Sequence, residues 1–570
     1  MTTKRRWHAI ALLLLLVAWI CCETTVSEKL RAHEELIKQP ALLLIVGDVT
    51  ATGARVLYDP LPDDDSNFAL RVRVFVSTHA TSDTHGTSLS YSIQQEFTIG
   101  NHLSHKGPRV LQLKDLTPNR LYKAGFQIVH ASGDRSNTDE LATFRTQSLE
   151  PRAVEDRVLI VSCDRYVDDA DDTLWRQIVQ DIEAHPASYF GMAHIGDQVY
   201  VDANGASIPI RPVSAEMMTS GGQQQLRERF NSVVDQFRSI YRRTFGRPIV
   251  QRALRSGAHW MIPDDHEVIN NFNYERVQRV LAGSADDQLK QEELYGLALH
   301  HRAGLQVYYE FQFQLLRDFP FNQVDFLLEP LDEIVKRFPV HFAVEVHDLK
   351  LFFMDLRFDR SFFANTGSEK LHSQLVGERQ MADLKQSLER WSQDRASAAV
   401  VLSSVPLFFH STLSAGITYF VEKETYPGMR AQLPGLQTLF ELFASHSQPE
   451  TKGPKRSAPL KLLVGGDVHF LAHSQVCGLY GEPEEAKRGC VDQLITSGLT
   501  RGSTAILDLK LVPFYFLVTR LTPFVNSLMA WTGLWIPALA PHWSMEFGKL
   551  FLGRNYGGSW TCRHPASSQS

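Results

Sequence analysis

The sequence of 570 residues predicts a β-sandwich over residues 41–148, followed by a larger α/β domain over residues 155–505. Up to residue 148, short apolar runs alternate with turn residues, a pattern typical of antiparallel strands. From residue 155 onward, strand-like runs alternate with helix-like segments, which predicts a layered β-sheet core flanked by helices. A chain of this length also exceeds a single hydrophobic core, so more than one domain is expected.

The overall composition is that of an ordinary globular protein. Charged residues make up 21% and apolar residues 44% of the chain. The net charge of −6 lacks the basic excess of nucleic-acid binders, so we expect no nucleic-acid partner. The six cysteines are too few for a disulfide scaffold. Cys477 and Cys490 nevertheless flank a polar loop between two strand-like runs, and we expect a disulfide there if the compartment is oxidising.

Residues 1–22 have the features of a secretory signal. Lys4-Arg5-Arg6 precedes an apolar run that extends from Ala9 to Ile20. Bulky residues stand where small residues would mark a cleavage site, so an uncleaved signal anchor is the alternative. Either reading predicts a protein of the secretory pathway, which is secreted, lies in the lumen of the ER or Golgi, or is bound to a membrane.

The predicted N-terminal sandwich begins with strands at residues 42–46, 54–58 and 70–76. Further along, the turn Leu116-Thr117-Pro118 is followed by Tyr122. This arrangement resembles the corner between two strands in fibronectin type III and immunoglobulin-like sandwiches. The region has no concentration of catalytic residue types, and we therefore interpret it as a scaffold or a substrate-shaping module.

Several predicted strands of the α/β domain end in residues that bind metals. Each of these residues alone would be an ordinary cap or turn residue. Open α/β sheets, however, form their sites at the carboxyl ends of strands, so the residues are expected to converge. Thiolate, phenolate, carboxylate and imidazole groups together fit a two-metal site with a ferric or other Lewis-acid ion. The residues are Cys163 and Asp164, Asp197 and Tyr200, Asp264 to His266, and Asp467 and His469.

Motifs appear in a fixed order along this domain. They are Ser162-Cys163, Gly196-Asp197-Gln198-Val199-Tyr200, Asp264-Asp265-His266-Glu267-Val268-Ile269-Asn270, Asp355-Leu356-Arg357 and Gly466-Asp467-Val468-His469-Phe470. The set resembles the PhoD-like (alkaline phosphatase D) family of calcineurin-like metallophosphoesterases, which is related to the purple acid phosphatases. The resemblance implies a metallophosphoesterase-type layered sheet core preceded by a fibronectin III or immunoglobulin-like sandwich.

The same resemblance implies a set of metal ligands. Two or more metal ions are expected, Fe³⁺ together with Ca²⁺ or another divalent ion. Asp197 would bridge two of them, and the anionic side chains of Cys163 and Tyr200 would suit the trivalent ion. The implied ligands are Cys163, Asp164, Asp197, Tyr200, Asp265, Asp467 and His469.

The implied reaction is the hydrolysis of phosphate monoesters or diesters by attack of a metal-bound hydroxide. His266 would protonate the leaving oxygen or stabilise the phosphoryl charge. Arg357 would contact the phosphate, although structural pairing with Asp355 is the alternative. A different class of function also remains open, namely a scaffold or membrane-associated interaction protein with a degenerate phosphatase fold.

Two segments fall outside the family pattern. Residues 275–338 are expected to form a mainly helical insert, and residues 506–570 an apolar extension with a polar tail. The apolar stretch 506–543 is interrupted by prolines and is therefore a poor transmembrane span. It could be a membrane-surface segment, a hydrophobic flap or ordinary buried packing. Membrane association would accordingly involve the N-terminal apolar segment and residues 506–543.

Overall fold

The computed structural model of the chain describes most of both predicted regions. The predicted leader, almost all of the apolar stretch 506–543 and the tail after Trp560 lie outside the described residues. Among the residues described, no helix has the length and apolarity needed to cross a bilayer. The described ranges, besides Ala415 and Phe524, are 42–60, 68–77, 90–100, 107–130, 140–150, 156–168, 172–202, 207–272, 288–363, 372–394, 398–410, 426–429, 432–447, 458–481, 487–500, 543–551 and 557–560.

The N-terminal region consists of two antiparallel sheets, in agreement with the all-β prediction. One sheet has the order β1-β2-β5 and the other the order β4-β3-β6-β7. Tyr122 lies at the predicted corner, where its hydroxyl accepts a hydrogen bond from the backbone N–H of Thr117 at 2.7 Å. The strands are β1 (Leu42–Val49), β2 (Ala54–Pro60), β3 (Phe68–Ser77), β4 (Tyr91–Gly100), β5 (Arg109–Leu113), β6 (Leu121–His130) and β7 (Glu140–Arg145).

Strand β1 is buried on both faces, which explains its uninterrupted apolar sequence. Leu42, Leu44 and Val46 belong to a buried cluster that the two N-terminal sheets share with strands of the α/β region, such as Ala258–Ile262. Leu43 and Ile45 point the other way, into the core of the α/β region. The N-terminal sheets are thus packed directly against the α/β region.

The α/β region contains two large sheets and a two-stranded antiparallel sheet formed by Ser361–Phe363 and His372–Gln374. A four-stranded sheet has the order β10-β9-β8-β20, and a seven-stranded sheet has the order β11-β12-β15-β16-β18-β17-β19. Strands β8, β9 and β10 run parallel, as do β12, β15, β16 and β18. The strands are β8 (Arg157–Val161), β9 (Tyr189–Ile195), β10 (Ala258–Ile262), β11 (Phe342–Val346), β12 (Leu349–Met354), β13 (Ser361–Phe363), β14 (His372–Gln374), β15 (Ala398–Ser403), β16 (Leu460–Gly465), β17 (Leu471–Tyr480), β18 (Lys487–Thr496), β19 (Trp543–Phe551) and β20 (Gly557–Trp560).

Amphipathic helices cover these sheets. The predicted helix at 173–184 buries Leu174, Trp175 and Ile178 on one face, as its apolar spacing requires. A second helix predicted from periodicity begins at Glu378, directly after the N-cap residue Gly377, and buries Leu384. The helices are α1 (Thr173–Ala184), α2 (Gln223–Phe245), α3 (Pro248–Leu254), α4 (Gln288–Phe311), α5 (Leu331–Arg337), α6 (Glu378–Trp391) and α7 (Leu433–Ser447).

The segment predicted as an insert is part of the core. Helix α4 contributes Leu299, Ala303 and Val307 to the same buried cluster as α1 and α2. The part of the insert within 273–287 lies outside the described residues. The helical prediction is therefore confirmed for 288–311 and 331–337, but these helices stabilise the α/β region rather than standing apart from it.

The C-terminal extension contributes a strand to each large sheet of the α/β region. Strand β19 pairs antiparallel with β17, and β20 pairs antiparallel with β8. The predicted domain end at residue 505 therefore leaves out two strands of the fold. In contrast, the predicted disulfide is confirmed, because Cys477 on β17 and Cys490 on β18 are directly paired and bonded.

Candidate metal centre

The carboxyl ends of parallel strands from both sheets meet at one place. Cys163 follows β8, Asp197 follows β9, and Asp467 follows β16. The turns are held together by backbone hydrogen bonds, such as that from Leu499 N to Ser162 O at 3.0 Å. Gly196 lies where the two sheets touch, and a Cβ there would come within 2.6 Å of Asp264 and 2.9 Å of Ser404. Only glycine permits this close approach.

The backbone at these strand ends adopts an unfavourable conformation. Cys163, Asp197, Asp467 and His469 have φ values of 62°, 58°, 65° and 57°. A left-handed conformation in a residue other than glycine costs about 1 kcal/mol or more and persists where the surroundings impose it. Such strain is concentrated at functional sites, and here it turns the side chains of successive strand ends into one space.

Four carboxylates form the centre of this space. Oxygen atoms of Asp197, Asp264, Asp265 and Asp467 all lie within 4.8 Å of one another. A second group of the same compactness contains Asp197, Asp265 and His266. The guanidinium group of Arg357 donates to Asp264 and lies 3.7 Å from Asp265 and 4.0 Å from Asp467. Negative charge therefore exceeds positive charge within this group of side chains.

The electrostatics of the carboxylates favour a cation. Burial, reinforced by Cys163 and Asp265, raises the pKa of Asp197 well above its ordinary value. Burial also raises the pKa of Asp264. Oδ1 of Asp265 is buried and has no hydrogen-bond partner among the described residues. Clustered, desolvated carboxylate oxygens with unused acceptor capacity are the donor set of a hard cation, so the residues present fit the implied metals.

Cys163 and Tyr200 approach the same oxygen of Asp197. The Tyr200 hydroxyl donates a hydrogen bond to Oδ2 of Asp197 at 2.9 Å, and Sγ of Cys163 lies 3.5 Å from that oxygen. Sγ of Cys163 also lies 3.0 Å from the hydroxyl of Ser497. Burial raises the pKa of the Cys163 thiol to about 11. A thiol in this environment ionises only if a cation is beside it.

His266 lies at the side of the cluster and pairs with Asp202. Its Nδ1 is 2.6 Å from Oδ1 of Asp202, and its ring packs against that of Tyr200 at 4.1 Å between centroids. Burial raises the pKa of the Asp202 carboxyl, but the hydrogen bond and charge of His266 outweigh burial and lower it. Sequence reasoning did not select Asp202, although it lies in the same stretch as Asp197 and Tyr200.

Glu267 is a second residue that sequence reasoning missed. Its fully buried carboxylate accepts hydrogen bonds from the backbone N–H groups of Gln198 at 2.8 Å, Asp264 at 2.8 Å and Asp197 at 3.2 Å. It thereby ties the turn after β9 to the turn after β10. Burial raises its pKa to about 7. Its position directly after His266 was the available signal.

Asp164 is committed to a different partner. Both of its carboxylate oxygens accept hydrogen bonds from Nη2 of Arg247, at 2.9 Å and 2.7 Å. Arg247 also binds Asp172 at 2.7 Å. Among the described residues, Asp164 does not belong to either group of candidate metal ligands. The geometry therefore does not support its prediction as a ligand.

The observed contacts of His469 and Arg357 also differ from the predicted ones. His469 follows the cluster residue Asp467, and its backbone N–H donates to the Ser497 hydroxyl at 3.0 Å, yet neither ligand group among the described residues includes its ring. Arg357 is fully buried and pairs with Asp264. Its contact with Asp355 is made by its backbone N–H, at 2.9 Å, rather than by its guanidinium group.

A comparison with family models shows the family of this chain. A sequence model of the family described as PhoD-like phosphatase matches residues 158–486. The chain belongs to the PhoD-like phosphatase family. Membership implies phosphoesterase activity, and the buried acidic cluster is consistent with the metal dependence of PhoD-like phosphatases.

One solved structure shares the fold of this chain at low sequence identity. The structure of PhoD aligns over 90% of this chain and 83% of its own, with 12% identity and a TM-score of 0.52. The third fibronectin III domain of the human KIAA0343 protein aligns over 19% of this chain and 82% of its own, with 18% identity and a TM-score of 0.15. A comparison with curated proteins gave no match.

Proposed function

We propose that this PhoD-like chain hydrolyses phosphate monoesters or diesters at the acidic cluster with two or more bound metal ions. The observation that carries the proposal is the convergence of Asp197, Asp264, Asp265 and Asp467 within 4.8 Å. Fe³⁺ together with Ca²⁺ or another divalent ion is the proposed metal content. The thiol, phenol and carboxylate groups around Asp197 support this mixture, because anionic sulfur and oxygen ligands suit a trivalent ion and carboxylates suit calcium.

We assign Asp197 as the bridging ligand. Its two oxygens face different neighbours, since Oδ2 lies near Tyr200 and Cys163 while Oδ1 accepts from the His266 backbone at 3.3 Å. Asp265, Asp467 and His469 are proposed to complete the site. When bound, such ions supply Lewis acidity toward the phosphoryl oxygens and lower the pKa of a water molecule.

We assign proton transfer to His266. The carboxylate of Asp202 can only accept a hydrogen bond, so the Nδ1 atom of His266 carries the proton in this contact. We propose that the ring exchanges a proton with the leaving oxygen through its other nitrogen. Asp202 orients the ring and is a positioning residue.

Arg357 serves to balance charge in this proposal. A guanidinium group paired with Asp264 and close to Asp265 and Asp467 offsets part of the repulsion among the carboxylates. Because its side chain is fully buried behind these groups, contact with the phosphate is the less favoured role.

The cellular location of the protein and the roles of its accessory regions are also proposals. We propose that the protein acts in the secretory pathway, and the disulfide between Cys477 and Cys490 supports an oxidising compartment. The two N-terminal sheets are proposed to be a fibronectin III-like scaffold beside a metallophosphoesterase-type core. Association with a membrane through the leader or the stretch 506–543 is part of the same proposal.

The test combines metal analysis with two assays. Purified protein should contain iron and a divalent metal by elemental analysis and should hydrolyse p-nitrophenyl phosphate, its bis-ester or both. Asp197→Asn should abolish hydrolysis of either ester and reduce metal content. Asp318→Asn is the matched control, because Asp318 is an exposed carboxylate that pairs with Arg55. Metal-free wild-type protein that hydrolyses neither ester would instead favour a scaffold.

A further inference from the structure

A surface cleft of about 220 Å³ lies between helices α2 and α4 and the segment that follows Asp202. We call it the Arg229 cleft. Two arginine side chains line it together with polar and ring side chains; the residues that matter here are Pro209, Arg211, Arg229, Ser232, Gln236 and His300.

The positive charge of this cleft is not neutralised by the described residues. Nη2 of Arg229 donates a hydrogen bond to the backbone carbonyl of Arg211 at 2.8 Å, and no carboxylate among these residues pairs with either guanidinium group. Burial and the charge of Arg211 lower the pKa of Arg229, as expected when two like charges approach without a counterion. An anion would relieve this repulsion.

The acidic side chains nearest along α2 are engaged elsewhere. Asp235 accepts a hydrogen bond from Arg238 at 2.8 Å, and Glu228 accepts one from Gln224 at 3.0 Å. Arg229 is half-buried, whereas Arg211 is exposed. The cleft therefore offers one guanidinium group held in place and a second that can swing toward a ligand.

The shape of the cleft depends on a close backbone approach. Gly296 of α4 faces the carbonyl of Arg211, and a Cβ at this position would lie only 2.2 Å from that oxygen. The absence of a side chain allows the Arg211 segment to pack against α4. Arg211 is thereby brought to the same cleft as Arg229, which lies on α2.

Hydrogen bonds link the lining of the cleft to the segments that carry His266 and Asp202. His300, which lines the cleft, contacts the carbonyl of Val268 through Nε2 at 2.8 Å. Ile208, close to Arg211 in the sequence, is linked to the site, because Ile208 N donates to Val201 O at 2.9 Å and Val201 N donates to His266 O at 3.2 Å.

We propose that the Arg229 cleft binds a second anionic group of the substrate, a phosphate or a carboxylate, and so selects esters that carry one besides the scissile phosphate. This assignment rests on the proposed phosphoesterase function. Arginine forks bind both kinds of oxyanion in pairs of parallel hydrogen bonds. Joining two anionic groups in one molecule also strengthens binding when the linker matches the separation of the sites.

The test uses non-hydrolysable probes on the full-length, metal-loaded protein. Alkyl phosphonates, matched α,ω-bisphosphonates and ω-carboxyalkyl phosphonates would be compared by calorimetry over linkers of about three to eight methylene groups. At the best linker length, a probe with a second anionic group should bind about tenfold more tightly than the matched alkyl phosphonate. Comparison of the phosphonate and carboxylate arms identifies which anion the cleft prefers.

Two variants test the cleft, and one serves as control. Arg229→Gln should remove the gain from the second anion, and Ser232→Trp, which fills the cleft from its exposed wall, should also remove it. Arg227→Gln should keep the gain, because Arg227 lies on the same helix but pairs with Asp325. A gain of the same size in wild type and both cleft variants, or no gain at any length, would overturn the assignment. Failure of wild type to hydrolyse simple esters, with the binding gain intact, would count against the proposed reaction alone.

Discussion

Nδ1 of His266 lies 2.6 Å from Oδ1 of Asp202, whose second oxygen accepts a hydrogen bond from the backbone N–H of Asn270 at 2.7 Å. The carboxylate is therefore fixed on one side by the main chain and on the other by the ring. This pair determines which nitrogen of His266 faces the carboxylate cluster. It is the contact through which Asp202 can influence proton transfer.

We expect Asp202→Asn to lower kcat by about a hundredfold on an alkyl phosphate, because the ring loses the acceptor that fixes its tautomer. The loss should be smaller on p-nitrophenyl phosphate, whose leaving group departs without a proton. Steady-state kinetics on both esters would check this. An equal loss on the two would contradict a role in proton transfer.

We expect Asp164→Asn to lower stability while leaving metal content unchanged. The substitution removes charged acceptors from the buried Arg247, and such a loss costs about 3 kcal/mol. Asp265→Asn, in contrast, should reduce metal content, since Asp265 lies in both candidate ligand groups. Denaturant unfolding and elemental analysis of the two variants provide the comparison. Loss of metal from Asp164→Asn would restore Asp164 as a ligand.

We expect the free energy of unfolding of the Asp355→Asn variant to increase, relative to that of wild type, as the pH rises. Asp355 is fully buried, and Oδ2 has no hydrogen-bond partner among the described residues. Burial, and then the charge of Asp359, raise its pKa to about 7. The folded wild type thus holds a proton that the unfolded chain has already released above the ordinary aspartate pKa of 3.8.

The direction of this effect follows from proton binding. Because the native state binds more protons, the free energy of unfolding of wild type falls as the pH rises between about 4 and about 7, and the loss is complete above the folded pKa. Asparagine does not titrate, so the difference between variant and wild type should grow over this interval and then level off. Urea unfolding at several pH values would measure it, and a difference independent of pH would contradict the raised pKa.

We expect a chain that ends at Thr500 to be less stable and more prone to aggregate than the full chain. It would lack β19 and β20, which pair with β17 and β8. Their removal leaves unpaired edges on both large sheets of the α/β region. A chain that ends at Trp560 retains both strands and is the control. Equal melting temperatures for the two truncated chains would show that β19 and β20 contribute nothing to stability.

Much of the candidate site could be predicted from the sequence. Asp197, Asp265 and Asp467 each follow a recognisable apolar strand. The carboxyl ends of parallel strands share one edge of a sheet, which predicts that Asp197 and Asp265 lie together, whereas Asp467 follows a strand of the other sheet. Cys163 and Tyr200 lie beside Oδ2 of Asp197, and their assignment as metal ligands stays a prediction. The partner of Asp164 could not be predicted in this way, because Arg247 lies 83 residues away in the sequence, between helices α2 and α3.

The sequence by itself determined the order of strands and helices, the all-β character of the N-terminal region and the residues gathered near Asp197, because periodicity and strand ends are local properties. The tertiary structure decided which side chains pair: His266 with Asp202, Arg357 with Asp264 and Asp164 with Arg247. It also decided that the C-terminal strands complete both large sheets. Such pairings depend on contacts between segments that are far apart in the sequence, and local sequence patterns do not predict these contacts.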